Sequence, residues 1–393
     1  MANDGLVGLE ILPGNPDFLD LPWTLPMARW REGTTRIVDV ARGIARHEVL
    51  FLQYERSLYA AKELPPRVGE REYEALRWLE QQELPAVQAA GHARVRRQGE
   101  DTSILFTRFL ENSIPFRTLF ESPGLEPYRS SLLDAIAGLL VRLHLAGFFW
   151  GDCSLSNTLF RRDAGQLQAY LVDAETAETH AQLSAGQRHH DLQLLEENVA
   201  GDLMDLAAML GERRDEALDR TPGEIRTKYE QLWTEINREE WVSASDSWRI
   251  HERIRSLNAL GFTVGEVKLE ASGDGNRLRM RTMVTDRDYH RNLLHDLTGL
   301  NAEDHQAQLM VQEIQEQRAT LEQTEKRSVP LQVAAYRWLT ERYQPTVRRL
   351  PAGDPSELYC ELLENKWYLS ECAGRDVGME AALEDYLKRF APR

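Results

Sequence analysis

The sequence has few cysteines, no long apolar run and no excess of positive charge, and each absence excludes a class of protein. Its 393 residues include three cysteines without a C-x-x-C pair, so a disulfide framework is excluded and a reducing compartment is expected. No stretch approaches the roughly 18 apolar residues of a membrane span. The first residues show no basic stretch followed by an apolar core, as a secretory signal would. We therefore expect a cytoplasmic protein without an integral membrane segment.

The charge balance limits the possible partners. The chain carries 63 acidic residues against 47 lysines and arginines, a formal net charge of −16. A nucleic acid partner is not expected, because neutralising phosphates requires an excess of cations. The composition, 42% hydrophobic and 28% charged, is that of an ordinary globular protein, and the length suffices for two or three domains. Nothing in it indicates an oligomeric state.

The most informative stretch lies between Trp150 and Glu175. It contains Asp152, then Asn157 five positions later, and then Asp173 at the end of a short apolar strand. Phosphoryl transfer from Mg·ATP needs one carboxylate facing the attacking hydroxyl, and further oxygen ligands facing a hard cation. Asp152 is thus the candidate catalytic residue, and Asn157 and Asp173 are the candidate magnesium ligands. Each residue alone could instead cap a turn, but their order along the chain favours catalysis.

This stretch resembles the catalytic and metal-binding loops of the protein-kinase-like superfamily, which read H-R-D-x-x-x-x-N and D-F-G. Here Trp150-Gly151 replaces His-Arg, and Ala174-Glu175 replaces Phe-Gly. A glycine before the aspartate is more similar to the lipopolysaccharide, aminoglycoside and small atypical kinases than to eukaryotic protein kinases. The resemblance implies ATP and Mg²⁺ as cofactors. Glu175 could supply an oxygen to a second metal ion, although a plain surface position is favoured.

Two residues upstream fit the nucleotide site that the resemblance implies. Lys62 ends the predicted strand Leu58 to Lys62, where the V-A-I-K lysine would point at the α and β phosphates. Glu72 follows on a predicted helix and is the best candidate to pair with Lys62, because it shares a face with Leu76. Glu74 is the second candidate for the same pairing.

The other nucleotide contacts are expected from backbone positions. Gly43 lies in the turn that would cover the phosphates, as a single glycine in place of a G-x-G-x-x-G run. Phe109 and Leu110 end a later strand at the predicted hinge, where backbone groups would accept from and donate to an adenine.

The predicted fold class is α+β, a two-lobed protein-kinase-like fold with an additional, mainly helical α+β domain at the C-terminus. Residues 1–35 carry prolines and tryptophans typical of an extended arm. Residues 36–112 would form the N-terminal lobe, with five strands and one helix, and residues 113–222 the helical C-terminal lobe. Residues 223–393 would form the accessory domain.

The whole layout resembles a bacterial family in which a lipopolysaccharide-kinase-like half joins a domain of unknown function, number 4032. The segments Trp367 to Glu371 and Gly374 to Gly378 contribute to this resemblance, which covers nearly the full chain. It implies a fold and a reaction class without a substrate. A sugar, a lipid-linked sugar, an antibiotic and a protein hydroxyl all remain open as acceptors.

Two further groups of residues have structural interpretations. The polar run around His189, His190 and Asp191, together with His180, is expected to be a mobile substrate-facing segment or plain surface, in preference to a metal site. Four aromatic residues fall on predicted helical faces and are expected in the core. They are Tyr336, Trp338, Trp367 and Tyr368.

The predicted function is that of an atypical kinase, which moves the γ-phosphate of ATP to a hydroxyl of an unidentified acceptor. Three alternatives remain open at this stage. An ATP-binding pseudokinase would act as a regulatory or scaffolding module, and a nucleotidyl transferase would move AMP on the same fold. A structural adaptor would bind no nucleotide.

Overall fold

The computed structural model describes residues 5–40, 47–121, 127–210, 216–242, 247–260, 262–271, 278–286 and 288–390. The chain forms two compact units. The first comprises Met1–Phe160 and Ala169–Tyr229, and the second comprises Arg161–Gln168 and Glu230–Arg393. This division does not test the predicted domain boundaries, which stay predictions. No helix in the described ranges is long and apolar enough to cross a membrane.

A six-stranded antiparallel sheet and one helix form the N-terminal part of the first unit. The strands are β1 (Gly5–Ile11), β2 (Ile37–Val38), β3 (Val49–Tyr54), β4 (Ser57–Leu64), β5 (Ala89–Arg97) and β6 (Glu100–Arg108), in the order β1-β5-β6-β4-β3-β2. Helix α1 (Pro66–Gln81) packs on β4, β5 and β6. Pro66 suits the first helical position, because its fixed φ is already helical and no N–H is needed there.

The N-terminal residues differ from the predicted extended arm. Residues 5–11 form strand β1, which pairs with β5, and Met27–Glu32 form a 3-10 helix. The prolines on which the prediction depended begin at Pro13, so they leave the β1 segment free to join the sheet. The aromatic residues do pack as anchors, since Phe18 stacks on Phe106 with ring centroids 4.2 Å apart. The N-terminal residues are thereby built into the core of the sheet.

The chain from residue 114 to residue 237 is mainly helical, with short strands, and it completes the first unit except for residues 161–168 and 230–237. Its elements are β7 (Ile114–Pro115), α2 (Phe116–Glu121), α3 (Pro127–Leu145), β8 (Phe148–Phe149), β9 (Thr158–Asp163), β10 (Gln166–Leu171), β11 (Glu178–Thr179), α4 (Ala185–Leu210) and α5 (Glu216–Asn237). Strands β7, β9 and β10 form one small sheet, and β8 pairs with β11. Helix α5 runs through Pro222, where the sequence suggested a domain boundary. One proline removes a single helical hydrogen bond, which the rest of this long helix tolerates.

Two glycines fix the path of the chain after α3. Gly147 has φ +86°, and a Cβ there would lie 2.1 Å from the carbonyl oxygen of His180. Gly151 has φ +78°, and its Cβ would lie 2.9 Å from the carbonyl oxygen of Thr176. A side chain at either position would meet both backbone strain and a steric clash. This explains why a glycine precedes Asp152.

The second unit is mainly helical with one small sheet, as predicted. Its elements are β12 (Glu240–Val242), α6 (Ser247–Ala259), β13 (Thr263–Ala271), β14 (Leu278–Asp286), α7 (Tyr289–Thr298), α8 (Asp304–Glu325), α9 (Leu331–Arg337), a π-helical turn (Trp338–Tyr343), α10 (Gln344–Val347), α11 (Pro355–Ala373) and α12 (Gly378–Phe390). Strands β13 and β14 pair antiparallel, and β12 adds a third strand beside β14.

The turn between β9 and β10 also belongs to the second unit. Asp163, at the end of β9, is fully buried. Its carboxylate accepts the backbone N–H of His305 at 3.1 Å and that of Gln306 at 2.8 Å, at the first turn of α8. A carboxylate at this end of a helix satisfies N–H groups that have no partner within the helix.

The aromatic prediction is right for Trp338 and wrong for the other three residues. Trp338 is fully buried, and its indole N–H donates to Glu313 at 2.9 Å. Tyr336, Trp367 and Tyr368 are 67%, 62% and 52% exposed. Tyr336 and Trp338 are two residues apart, which turns their side chains to nearly opposite sides of a helix. The prediction did not separate these two faces.

Asp191 of α4 anchors the loop from residue 150 to 157. It is fully buried and accepts the backbone N–H groups of Trp150 and Gly151, each at 2.9 Å. Its Oδ2 also lies 3.0 Å from Nε2 of His144. Burial alone would raise the pKa of Asp191, but His144 and the two N–H groups outweigh it and hold the pKa below its usual value. The surface or substrate-facing interpretation of this segment is therefore wrong for Asp191.

Replacing Asp191 tests this anchor. Asp191→Ala leaves buried N–H groups without an acceptor, so the free energy of unfolding should fall by about 3–5 kcal/mol. Urea titration followed by circular dichroism would measure it. Because the pKa of Asp191 is lowered in the folded protein, the difference should be full above pH 3.8 and shrink as the pH falls further. Gln193→Ala, at an exposed position of α4, should change stability by less than about 0.5 kcal/mol. A loss at Asp191 no larger than at this control would contradict the assignment.

Candidate active site

A cavity of about 480 Å³ in the first unit brings most of the predicted site residues together. Lys62, Glu72, Asp152, Asn157 and Asp173 all line it. Side chains alternate between the two faces of a strand, so Ala60 and Lys62, two residues apart on β4, point to the same face. Both line the cavity. Val49, Leu105 and Thr107 from β3 and β6 complete this part of the lining. The cavity thus has a largely apolar wall beside a strongly polar one.

Lys62 is the central cation of the cavity. Its Nζ lies 3.2 and 3.0 Å from the two carboxylate oxygens of Glu72, and 2.6 Å from Oδ2 of Asp173. The structure therefore pairs Lys62 with Glu72 and not with Glu74. Burial lowers the pKa of Lys62, but the two carboxylates outweigh it and the net shift is upward. Burial, together with the charge of Asp173, raises the pKa of Glu72 to about 7.

Asp152 is held by two side-chain amides. Nδ2 of Asn157 donates to the backbone oxygen of Asp152 at 3.0 Å and to its Oδ2 at 3.1 Å. Nδ2 of Asn198, on α4, donates to Oδ1 at 3.0 Å. Because the nitrogen of Asn157 makes these bonds, its amide oxygen is left for another partner. Each Asp152 oxygen accepts one side-chain bond and keeps a lone pair that can accept another.

Asp173 and Glu175 form the second acidic part of the cavity. Oδ1 of Asp173 accepts the backbone N–H of Glu175 at 3.1 Å, and the indole N–H of Trp150 donates to the backbone oxygen of Asp173 at 2.8 Å. Glu175 is 15% exposed at its side chain, with Oε2 3.2 Å from Nε2 of His47 and 3.7 Å from Lys62. The favoured surface interpretation of Glu175 is therefore wrong.

The oxygen atoms of this cluster suit a cation. Glu72, Asp173 and Glu175 each offer one carboxylate oxygen, and the three atoms lie within 4.8 Å of one another. Asn157 lines the same cavity, and its hydrogen bonds to Asp152 leave its amide oxygen free. Oxygen donors of this kind are the ligands that Mg²⁺ takes in proteins. Lys62 already contacts the three carboxylates, and Asp173 and Asn157 are the donors among these residues that fit the predicted magnesium ion.

Two predicted nucleotide contacts are not brought into the cavity, and a third cannot be placed in relation to it. Phe109 and Leu110 are not among its lining residues. The backbone N–H of Phe109 donates to the oxygen of Leu58 at 2.9 Å, and its ring packs against Phe51. The amide of Phe109 is thus used within the fold, while the adenine contact at Leu110 stays a prediction. Gly43 lies outside the described residues.

One face of α4 lines the cavity and was missed by the sequence analysis. It comprises Glu197, Asn198, Gly201, Asp202 and Asp205. Asp202 accepts the backbone N–H of Ser156 at 2.9 Å and also its hydroxyl. Burial raises the pKa of Asp202. The signal that could have identified this face is the four-residue spacing of polar residues, offset from the buried Leu195, Val199, Leu203 and Leu206.

The charges around the cavity are strongly unbalanced. Among the described residues, seven carboxylates line it and two basic side chains, Lys62 and His47, face them. The carboxylates are Glu72, Asp152, Asp173, Glu175, Glu197, Asp202 and Asp205. A cavity of this kind attracts cations and raises their local concentration.

Two segments of the chain match known protein families. Residues 39–217 match the lipopolysaccharide kinase (Kdo/WaaP) family, and residues 231–391 match a domain of unknown function, DUF4032. No curated protein matches the chain.

A solved structure, described as "WaaP in complex with acyl carrier protein", is 19% identical to the chain. The match covers 51% of this chain and 89% of that one, with a TM-score of 0.33, which is too low to carry a structural argument. The family matches confirm the resemblance and the fold class predicted from the sequence. The chain thus joins a segment similar to the lipopolysaccharide kinase (Kdo/WaaP) family to a segment that matches DUF4032.

Proposed function

We propose that the first unit is an ATP-dependent kinase, which transfers the γ-phosphate of ATP to a hydroxyl group of an acceptor. The observation that carries the proposal is the shared cavity of Lys62, Asp152 and Asp173, with Lys62 in direct contact with Glu72 and Asp173. Positioning and charge stabilisation supply most of the catalysis in phosphoryl transfer, and these residue types provide both.

Lys62 would bind the α and β phosphates. Its ammonium is held at the end of β4 by the buried carboxylate of Glu72, which limits the positions it can reach. A bound nucleotide would place phosphate oxygens where Lys62 now contacts Asp173. Val49, Ala60 and Leu105 line the same cavity and offer an apolar surface for the base.

Asn157 and Asp173 would hold the magnesium ion. The amide oxygen of Asn157 is free of the bonds that its nitrogen makes to Asp152. Each carboxylate oxygen of Asp173 accepts one hydrogen bond and keeps a lone pair that can accept another contact. When bound, the ion neutralises charge on the transferred phosphoryl group.

Asp152 would receive the proton of the acceptor hydroxyl, or orient that hydroxyl toward the phosphate. Asn157 and Asn198 fix the carboxylate from two sides, so its remaining lone pairs point in defined directions. The anchoring of the preceding loop by Asp191 fixes the backbone of the same segment. Asn198 is a positioning residue in this scheme, because it acts through Asp152.

Nucleotide binding can be tested by thermal unfolding of the full chain. Mg·ATP at about a hundred times its Kd should stabilise the wild type by about 2.7 kcal/mol. Lys62→Met removes the ammonium that binds the phosphates, so most of this stabilisation should disappear when each variant is compared with its own nucleotide-free form. Lys388→Ala, at an exposed position of α12, should respond like the wild type. An absence of stabilisation in the wild type would favour the structural adaptor.

Transfer can be tested with Asp152→Asn, which keeps the shape of the side chain and removes its charge. Turnover of Mg·ATP should fall by about 10²–10⁴-fold, because proton transfer loses its acceptor, while stabilisation by Mg·ATP persists. Mass spectrometry of the protein and its nucleotide products would measure turnover. The control is Asp134→Asn, at an exposed position of α3.

The possible outcomes separate the alternatives. Undiminished turnover in Asp152→Asn would contradict the role of Asp152. A wild type that binds Mg·ATP without turnover would be a pseudokinase. Attachment of AMP in place of phosphate would identify a nucleotidyl transferase.

A further inference from the structure

We propose that His47 binds the phosphate chain of the nucleotide together with Lys62, and that the carboxylate of Glu175 holds both side chains until the nucleotide displaces it. All three residues line the cavity of the first unit. The proposal rests on the proposed kinase function, because it assigns a second phosphate contact in the same cavity.

The position of His47 follows from the register of the sheet. Val49 and Lys62 lie directly opposite each other on β3 and β4. The backbone N–H of Glu63 donates to the oxygen of Glu48 at 3.0 Å, so the two segments still pair one residue beyond Val49. Side chains alternate along an extended chain, so His47 lies on the same face as Val49. It is thus diagonal to Lys62, which is close enough for long side chains to meet.

Two nitrogen atoms converge on a single oxygen atom of Glu175. Nε2 of His47 lies 3.2 Å from Oε2 of Glu175, and Nζ of Lys62 lies 3.7 Å from the same oxygen. Carboxylate and phosphate oxygens accept the same charge-assisted hydrogen bonds from lysine and histidine. The side chain of Glu175 therefore marks a position that a phosphate oxygen can take.

The contact between His47 and Glu175 differs from that of a structural ion pair. Within the ranges that the structure describes, Oε2 of Glu175 is buried and accepts no hydrogen bond. A buried acceptor without a hydrogen bond destabilises the folded protein, and nearly all such atoms are satisfied in native structures. Displacement of this carboxylate by a phosphate group relieves that cost and gives both nitrogen atoms a new acceptor.

The phosphate chain needs a second basic partner besides Lys62. Lys62 already contacts the carboxylates of Glu72 and Asp173. Among the described residues that line the cavity, His47 is the other basic side chain. The segment between β2 and β3 contains one glycine, so it lacks the glycine-rich backbone that covers phosphates in sites of the G-x-G-x-x-G type. A side-chain contact from His47 compensates for this difference.

Calorimetric binding to the full chain tests the phosphate contact. The ligands are adenosine, inorganic tripolyphosphate and a non-hydrolysable imido analogue of ATP, the last two with Mg²⁺. His47→Leu removes the imidazole, so binding of the ATP analogue and of tripolyphosphate should weaken by about tenfold, as for the loss of a hydrogen bond to a charged group. Adenosine has no phosphate, so its affinity should not change, and its binding shows that the variant is folded.

His180 provides a matched control. Its side chain is 30% exposed, against 29% for His47, and its Nε2 lies 3.3 Å from a carboxylate oxygen of Glu178. It is not one of the described residues that line the cavity. His180→Leu therefore makes the same change outside the cavity, and it should leave the affinity for all three ligands within about twofold of the wild-type value.

Glu175→Gln tests the displaced carboxylate. Glutamine keeps the shape of the side chain and removes the charge that competes with the phosphate for His47 and Lys62. The ATP analogue should therefore bind at least about threefold more tightly. Glu197→Gln removes the same charge elsewhere in the lining of the cavity, and its gain should be smaller. If Glu175 held the magnesium ion, its substitution would weaken binding.

Several results would overturn the proposal. They are undiminished binding of the ATP analogue in His47→Leu, an equal loss in His180→Leu, and a loss of adenosine binding as large as that of the ATP analogue. Weaker binding in Glu175→Gln would overturn the role of Glu175. A wild type that binds neither the ATP analogue nor tripolyphosphate would contradict the kinase function as well. Normal wild-type binding with an unaffected His47→Leu variant would contradict the role of His47 alone.

Discussion

One ammonium group shared among three carboxylates is the interaction on which the first unit depends. Lys62 contacts Glu72 and Asp173 directly and lies 3.7 Å from Glu175. These residues come from a strand, a helix and a loop, so a single half-buried ammonium group connects three elements. Burial raises the pKa of Glu72, and the excess of negative charge that this arrangement leaves raises it further. A site built in this way favours the arrival of cations, and Lys62 remains able to exchange a carboxylate for a phosphate.

A second constraint fixes the loop that carries Asp152. The carboxylate of Asp191 accepts the backbone N–H groups of Trp150 and Gly151. Gly151 itself takes a left-handed conformation directly before Asp152. The indole of Trp150 reaches the backbone of Asp173. The two loops of the site are thus connected by hydrogen bonds, while the reactive carboxylate still faces the cavity.

The sequence predicts the residues whose roles require a fixed order along the chain. Lys62, Asp152, Asn157 and Asp173 are recognisable because their residue types and spacing are set by the geometry of strands and turns, and the structure brings them to one cavity. Their chemical roles remain predictions. The pairing of Lys62 with Glu72 followed from helical periodicity, which places Glu72 and Leu76 on one face.

Other features depend on tertiary packing and gave weaker signals. Asp191 looks like a polar surface residue because its partners are backbone groups 40 positions away, which leave no trace in residue types. The face of α4 that lines the cavity carries polar residues, as a solvent-exposed helix face also does, so residue types alone do not distinguish the two. Strand β1 was not predicted, because the prolines that follow it are typical of an extended arm. Tyr336, Trp367 and Tyr368 show that an aromatic residue on an amphipathic helix need not lie on its buried face.

The turn between β9 and β10 affects how the chain can be divided. Asn157 immediately precedes β9 and Asp173 follows shortly after β10, yet the residues between these strands belong to the second unit, where Asp163 binds the start of α8. Shortening the chain after residue 229 would strip Asp163 of both backbone donors and expose its buried carboxylate to water. The two family segments, although consecutive in the sequence, are therefore poor guides to where this polypeptide could be cut.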